Sequence, residues 1–327
     1  MTIYMALKNL KKNKIPRRKT KKAVVLLSGG LDSRLAVKIM QKQGFKVIAL
    51  FFKLPFTGCC NEKCSFNFSQ ISGVELKTID CTKGKLLQEY LRILKKPKYS
   101  RGTSMNPCID CRIFMLKKAK EFADKQNIEL IATGEVLGER PMSQNKKALE
   151  IVEDESGLKG RLLRPLSAKL LPKTNAEEKG IVDREKLYDI SGRRRLKQIA
   201  LARKFKISYP NPGGGCLLCE KAMKKRLEYA LKRGMNDKEI KLLGLGRHFL
   251  INNSWVVIGR NKEENDIIEK IGKDLKKQLI FPEKIGPTGI ILDKADKKTK
   301  DKVKELIEAY SKGSSIQKRK KFQKYSL

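Results

Sequence analysis

A single histidine, His248, stands in a chain of 327 residues, and its solitude argues against acid–base catalysis by imidazole. No apolar run reaches the ~18 residues needed to span a bilayer, and Met1–Lys22 has no apolar centre of the kind a signal peptide carries. A cytoplasmic location with no membrane association is therefore expected. Acidic residues are scarce: 35 Asp and Glu stand against 74 Lys and Arg, a formal charge of +39. Such an excess repels itself in a compact state and attracts polyanions, so nucleic acid is the leading partner class and an anionic membrane surface the second. The charge is partly clustered. Met1–Lys22 holds nine basic and no acidic residues, and Lys312–Leu327 six and none, so both ends read as flexible phosphate-seeking arms.

What is present fits a soluble globular chain, with 40% hydrophobic and 33% charged residues, and the length suggests two domains. Eight cysteines in such a chain raise catalysis or metal binding before disulfides. Two CxxC pairs occur, Cys108–Cys111 and Cys216–Cys219. Cys59, Cys60 and Cys64 form a third group to which no role is assigned, and Cys81 reads as a core residue.

Strands are expected at Ala23–Leu27, Lys46–Phe52, Val74–Asp80 and Ile128–Thr133, alternating with helices after Asp32, at Leu86–Leu94 and after Pro107. Ser143–Gly160 reads as polar loop or hairpin, and Arg193–Lys204 as a basic helix. Alternation of this kind predicts an α/β fold, a parallel sheet with helices on both faces. Pro210–Gly215 breaks the pattern. Beyond it, helices at Lys221–Arg233, Glu263–Leu275 and Lys298–Tyr310, with strands at His248–Ile251, Trp255–Ile258 and Gly289–Leu292, predict a smaller α+β domain. The expected division is an arm at 1–22, a first domain at 23–220, a second at 221–311 and a tail at 312–327.

The first strand ends in Ser28-Gly29-Gly30-Leu31-Asp32-Ser33. Successive backbone amides at a strand-to-helix turn form an anion nest, the helix dipole adds positive charge, and glycine lets phosphate oxygens approach. Ser28 and Ser33 supply hydroxyls, and Asp32 is placed to hold Mg2+ on the phosphates. No Gly-Lys-Ser/Thr follows, so this is not a Walker loop. The hexapeptide resembles the SGGxDS signature of the PP-loop ATP pyrophosphatases, which cleave ATP between the α and β phosphates. Gly134-Glu135-Val136-Leu137-Gly138, Ser143-Gln144 and Leu163-Arg164-Pro165-Leu166 resemble the nucleotide domain of tRNA 4-thiouridine synthase, and Asn106-Pro107 before the first CxxC resembles tRNA 2-thiouridylases. The resemblance spans roughly 22–220. It implies an adenine nucleotide α-hydrolase (HUP-like) fold, ATP with Mg2+ held by Ser28, Gly29, Gly30, Asp32, Ser33 and Gly134, and tRNA uridine thiolation. Arg140-Pro141-Met142 and the first CxxC depart from the usual 4-thiouridine synthase, and no sulfur-relay domain is appended.

Val257-Ile258-Gly259-Arg260-Asn261, followed by Glu264-Asn265-Asp266, resembles the RNA-binding domain of NFACT-type proteins. That resemblance implies Arg260, Asn261 and Asn265 as backbone contacts, against a structural alternative in which Asn261 caps a helix. Arg193, Arg194 and Arg195 are a further candidate tRNA-phosphate site.

A uracil carbonyl is a poor electrophile, so exchanging its oxygen for sulfur requires activation, which adenylation by ATP provides; a sulfur nucleophile must then displace AMP. Three arrangements of the thiols compete. A [4Fe–4S] cluster would use Cys108, Cys111 and one or both of Cys216 and Cys219. A persulfide on Cys108 would be resolved by Cys216 or Cys219. A structural Zn2+ would take all four. The expected enzyme is an ATP-dependent tRNA sulfurtransferase in which Asp32, Cys108 and Cys216 are catalytic, fed by a cysteine desulfurase or free sulfide. Its rivals are a PP-loop enzyme amidating or activating a small molecule or nucleobase precursor, and a non-catalytic RNA-binding factor with a regulatory nucleotide site. The sequence assigns no oligomeric state, modified uridine or choice between 4-thio and 2-thio.

Overall fold

The computed structural model describes residues 21–56, 62–102, 104–210 and 215–327. The expected N-terminal arm, apart from Lys21 and Lys22, lies outside these residues, as do Cys59 and Cys60.

Five strands, β1 (Lys22–Leu26), β2 (Lys46–Lys53), β3 (Glu75–Asp80), β4 (Leu130–Ala132) and β5 (Leu162–Leu163), form an all-parallel sheet in the order β3-β2-β1-β4-β5. Alternation along β1 sends Val24 and Leu26 into one core and Ala23 and Val25 into the other. One face is covered by α1 (Leu31–Lys42), α2 (Glu62–Ser72), the single-turn α6 (Asn175–Glu178) and α7 (Leu196–Lys204). The other is covered by α3 (Gly84–Lys95), α4 (Cys108–Lys125) and α5 (Lys146–Ser156). The expected doubly covered α/β sheet is the one observed. Strand order reverses between β1 and β4, so the crevice at their carboxyl ends is where such a sheet takes its ligand.

Two expectations fail here. Ser143–Gly160 is not a loop: α5 is capped by Asn145, whose side chain accepts from the Ala148 amide, and closed by Gly157 at a left-handed φ of 66°. Leu149 and Val152 on one face give it something to bury. The basic helix begins at Leu196, leaving Arg193–Arg195 in the preceding turn.

After α8 (Lys221–Arg233) and the single-turn α9 (Glu239–Leu242), four antiparallel strands follow: β6 (Arg247–Ile251), β7 (Ser254–Ile258), β8 (Gln278–Ile280) and β9 (Gly289–Ile291), in the order β6-β7-β9-β8. α10 (Lys262–Asp274) and α11 (Lys297–Tyr310) pack on this sheet. The tail is not a free arm. α12 (Ile316–Gln323) buries Phe322, and the Leu327 amide donates to the His248 carbonyl, adding the chain end to the β6 edge.

Trp255, Val257, Ile268 and Ile290 of the second sheet unit share one continuous core with Leu87, Ile113 and Leu116 of the first, bridged by Leu218, Met223 and Leu227. His248 is buried in the second unit. Trp255 Nε1 donates to its Nδ1 at 3.0 Å and its Nε2 lies 2.8 Å from the Leu245 carbonyl, an arrangement that uses the neutral ring. The ring is a core element rather than a ligand. Among the described residues no helix is long and apolar enough to cross a membrane.

Candidate nucleotide and thiol site

β1 delivers the chain to Ser28–Ser33 and α1 carries it away, so the amides of the first helical turn, which have no intrahelical acceptor, face the crevice. Gly29 takes a φ of 84°, where an L side chain is strained, and a Cβ there would also press on Ser65. Ser33 Oγ donates to the Gly30 carbonyl at 2.9 Å and accepts from the Ser28 amide at 3.3 Å, closing the loop on itself. From the end of β4, Gly134 lies against this turn: a Cβ there would sit 2.5 Å from the Asp32 carbonyl oxygen and the Ser33 nitrogen. The loop is further held by a side chain the sequence did not suggest. Buried Arg34 donates to the carbonyls of Gly29 at 2.7 Å, Ser208 at 2.7 Å and Cys64 at 3.2 Å, tying the turn to two distant segments.

Beside the loop stand the thiols. α4 starts at Cys108 after Pro107, and Asn106 Nδ2 donates to Cys108 Sγ at 3.3 Å. Cys111 Sγ lies 3.7 Å from the Tyr90 hydroxyl, and Cys216 Sγ lies 3.5 Å from the Phe56 carbonyl. Although the CxxC pairs are far apart in sequence, a backbone bond from Met105 N to Leu218 O joins their segments, and one from Leu217 N to Phe56 O ties the second to the chain after β2, both at 3.1 Å. Burial pushes the Cys216 thiol up to about 12 and raises Cys111, and the neighbouring sulfurs repel further charge in each. Cys219 is exposed and does not line the cavity. Cys81 is fully buried.

Both sets of groups open on one cavity of about 330 Å³, lined by Ser28, Gly30, Asp32, Ser33, Cys108, Cys111, Gly134, Glu135 and Cys216 among others. That volume suits a nucleotide-sized ligand. Asp32 is pushed up to about 6 by burial and then by the charge of Glu139, against the pull of Arg195 and Arg140, and its Oδ1 is buried with no hydrogen-bond partner among the described residues. A carboxylate left so exposed to repulsion fits a divalent cation. Glu135 differs. Burial alone would raise it, but Arg112 and Arg164 outweigh that and hold it low. Arg112 Nε and Arg164 Nε each lie 3.0 Å from its carboxylate, and Arg164 also pairs with Glu153 of α5, so Glu135 is part of the wall.

For the thiols the fit is otherwise. Among the described residues no three His, Cys, Asp or Glu side chains are placed to hold a metal ion, so neither the [4Fe–4S] nor the Zn2+ arrangement has a ready-made site here.

The candidate RNA contacts divide. Arg193 and Arg194 are exposed beside α7. Arg195 is half-buried: its Nε donates to Glu139 Oε1 at 2.9 Å, and it lines the cavity. Arg260, Asn261 and Asn265 each take partners within the chain. Arg260 pairs with Glu264, Asn261 accepts from the Glu264 amide as the α10 cap, and Asn265 accepts from Thr288 N at 3.1 Å and donates to Gly286 O at 3.3 Å. They build the domain, with Gly259 as a glycine because Asn265 occupies the space of its Cβ.

A parallel sheet whose switch point carries this turn, with thiols lining the same cavity, sets an anion nest beside cysteine sulfur. Residues 19–169 match the family model described as Thiamine biosynthesis protein (ThiI), and residues 246–321 match that of the NFACT protein RNA binding domain. A tRNA-specific 2-thiouridylase MnmA of Nitratiruptor sp. is 30% identical over 122 residues, covering 35% of this chain and 34% of the relative. That of Polynucleobacter asymbioticus is 30% identical over 173 residues, covering 50% and 47%. The chain thus spans between a third and a half of the curated relatives it matches. A solved 4-thiouridine synthetase–RNA complex with bound ATP aligns at a TM-score of 0.37 and 20% identity, over 68% of this chain and 53% of that one. An NH3-dependent NAD synthetase from Campylobacter jejuni aligns at 0.34 and 16% identity, over 71% and 86%. The chain thus carries a segment similar to ThiI followed by a segment similar to the NFACT RNA-binding domain.

Proposed function

We propose that this protein is an ATP-dependent tRNA sulfurtransferase, with residues 23–220 performing the chemistry and the units after them binding RNA. One observation carries the reading: an anion nest and three thiols line the same 330 Å³ cavity. The relatives named 2-thiouridylase and the RNA-binding domain match support tRNA as the substrate, and the charge of +39 supports a polyanion.

The chain's own groups supply each step. Ser28–Ser33 and the amides of α1 hold the β and γ phosphates, leaving the α phosphorus open to the uracil carbonyl oxygen. Attack there releases pyrophosphate into the nest. Asp32 would hold Mg2+, which when bound neutralises phosphate charge. With no preformed metal site at the thiols, sulfur is carried on cysteine. The terminal sulfur of a Cys108 persulfide, loaded by an external donor, attacks the activated carbon and expels AMP. Cys216 then attacks the Cys108 sulfur, freeing the thiouridine and leaving a Cys108–Cys216 disulfide that an external thiol reductant reopens. Asn106, donating to Cys108 Sγ, orients that sulfur at the start of α4. Burial keeps the Cys216 thiol protonated in the unfilled cavity.

Nucleoside mass analysis of tRNA from cells lacking the gene tests this. Loss of 4-thiouridine or of 2-thiouridine is expected and names the carbonyl, whereas an unchanged thionucleoside profile overturns the reading. Metal content and the absorption spectrum of anaerobically purified protein test the thiol step, a cluster absorbance rejecting the persulfide route.

A further inference from the structure

Among the described residues the cations that line the cavity are Arg112, Arg140 and Arg195. Two of them are neutralised. Arg112 Nε lies 3.0 Å from the Glu135 carboxylate, and Arg195 Nε donates to Glu139 Oε1 at 2.9 Å. Arg140 is exposed, and its guanidinium has no partner among the described residues, so its charge is the one that the cavity offers to an incoming anion. That charge is felt both at Asp32 on the phosphate loop and at the exposed Cys219, which places Arg140 at the mouth, between the nest and the outside.

The fold builds Arg140 into a larger feature. Residues 137–139 run beside 191–195: Gly192 N donates to the Leu137 carbonyl at 2.7 Å, Leu137 and Ser191 form a parallel bridge, and the Glu139–Arg195 ion pair fastens the far end. Arg140 directly follows one member of that pair, and Arg193 and Arg194 directly precede the other. Both are exposed and likewise have no partner among the described residues. On its other side the turn of Arg140 is also fixed, since Gln144 N donates to the Arg140 carbonyl at 2.9 Å and Asn145 Nδ2 to the Pro141 carbonyl at 2.7 Å. Three like charges whose backbones are pinned side by side repel one another, and a polyanion relieves that repulsion.

We propose that Arg140, Arg193 and Arg194 form a basic rim that grips the phosphates flanking the target uridine while its base enters the cavity. This rests on the tRNA reading above and deepens it. A base that must reach a reaction centre inside the protein has to leave its stack. Its backbone stays outside, because a cavity of about 330 Å³ that also takes a nucleotide has no room for it. The flanking phosphates then lie at the mouth, where the three arginines are. Arginine suits the task, since its planar fork meets two phosphate oxygens at once. The rim lies on the first unit, so the target strand is registered where the chemistry occurs.

Binding of an unmodified tRNA transcript to the full chain, measured over a salt series, tests the rim. Arg140→Ala should weaken binding about 3- to 10-fold and flatten the slope of log affinity against log salt by about 0.7–1, and the triple alanine variant at 140, 193 and 194 by about 2–3. Arg140→Lys should recover part of the affinity, because a point charge keeps the phosphate without the fork. Methylphosphonates in place of the phosphates flanking the thiolated uridine, once nucleoside mapping has located it, should cost the parent what the triple variant loses and cost that variant nothing further. Thermal melts check that each variant folds. An unchanged salt slope in the triple variant overturns the rim, as does an equal methylphosphonate loss in parent and variant. Loss of ATP affinity in Arg140→Ala with an unchanged RNA slope also overturns it, by putting the arginine on the nucleotide. If the slopes fall as expected while cells lacking the gene keep every thionucleoside, the rim stands and the sulfurtransferase reading falls.

Discussion

At Asp32, burial and the charge of Glu139 push the carboxyl from an ordinary 3.8 up to about 6. Between these values the folded chain holds the proton more tightly than the unfolded one, so the contribution to stability is complete below the lower value and lost as pH rises through about 6. Asp32→Asn should therefore stabilise the protein at pH 7 by about 1–3 kcal/mol in denaturant melts, while abolishing nucleotide-dependent pyrophosphate release. Gly134→Ala acts on the same turn by crowding, since its Cβ would lie 2.5 Å from the Ser33 nitrogen. A loss of about 1–3 kcal/mol is expected, and calorimetry should show at least tenfold weaker nucleotide binding. Ser28–Ser33 was legible in the sequence because its six residues are contiguous and each has a local task. Arg34 and the Glu139–Arg195 pair were not, because their meaning lies in partners 174 and 56 residues away. The Gly259–Asn265 segment was legible as a family mark and Asn261 as a helix cap, whereas the bonds of Asn265 to Gly286 and Thr288 were not, because those partners lie more than twenty residues away.

Among the elements, α5 is joined to β4 and β5 by Arg164, which is 1% exposed at its side chain and reaches Glu135 and Glu153. Arg164→Met removes the cation and leaves Glu135 buried with Arg112 alone; a loss of about 3–5 kcal/mol in chemical denaturation is expected. α8 could be bounded from sequence because Met223, Leu227 and Ala230 recur on one face of a basic helix. α5 offers fewer apolar residues among its charges, and the cap at Asn145 and stop at Gly157 were the signals that could have found it. α12 buries Phe322 alone, and one aromatic in a run of lysines carries no period.

Over the whole molecule, the two units should answer acid oppositely. In the second, burial and then the charge of Arg226 depress His248 to about 3 from 6.5. Its contribution is complete above the higher value and lost as pH falls toward the lower one, because protonation breaks the acceptor role of Nδ1 toward Trp255. Between pH 6.5 and 4, protection from hydrogen exchange should fall around β6 and β7 while Asp32 lends the first unit stability; His248→Gln should remove the acid sensitivity of the former. Equal loss in both units, or none, would contradict these assignments.

The shared core through Leu218, Met223 and Leu227 also bears on inheritance. Cutting the chain after the second CxxC would divide the apolar core that both units share, so neither half is a detachable cassette. A lineage that lost the second unit would need to refashion the scaffold of the first, and the two are therefore expected to be passed on together.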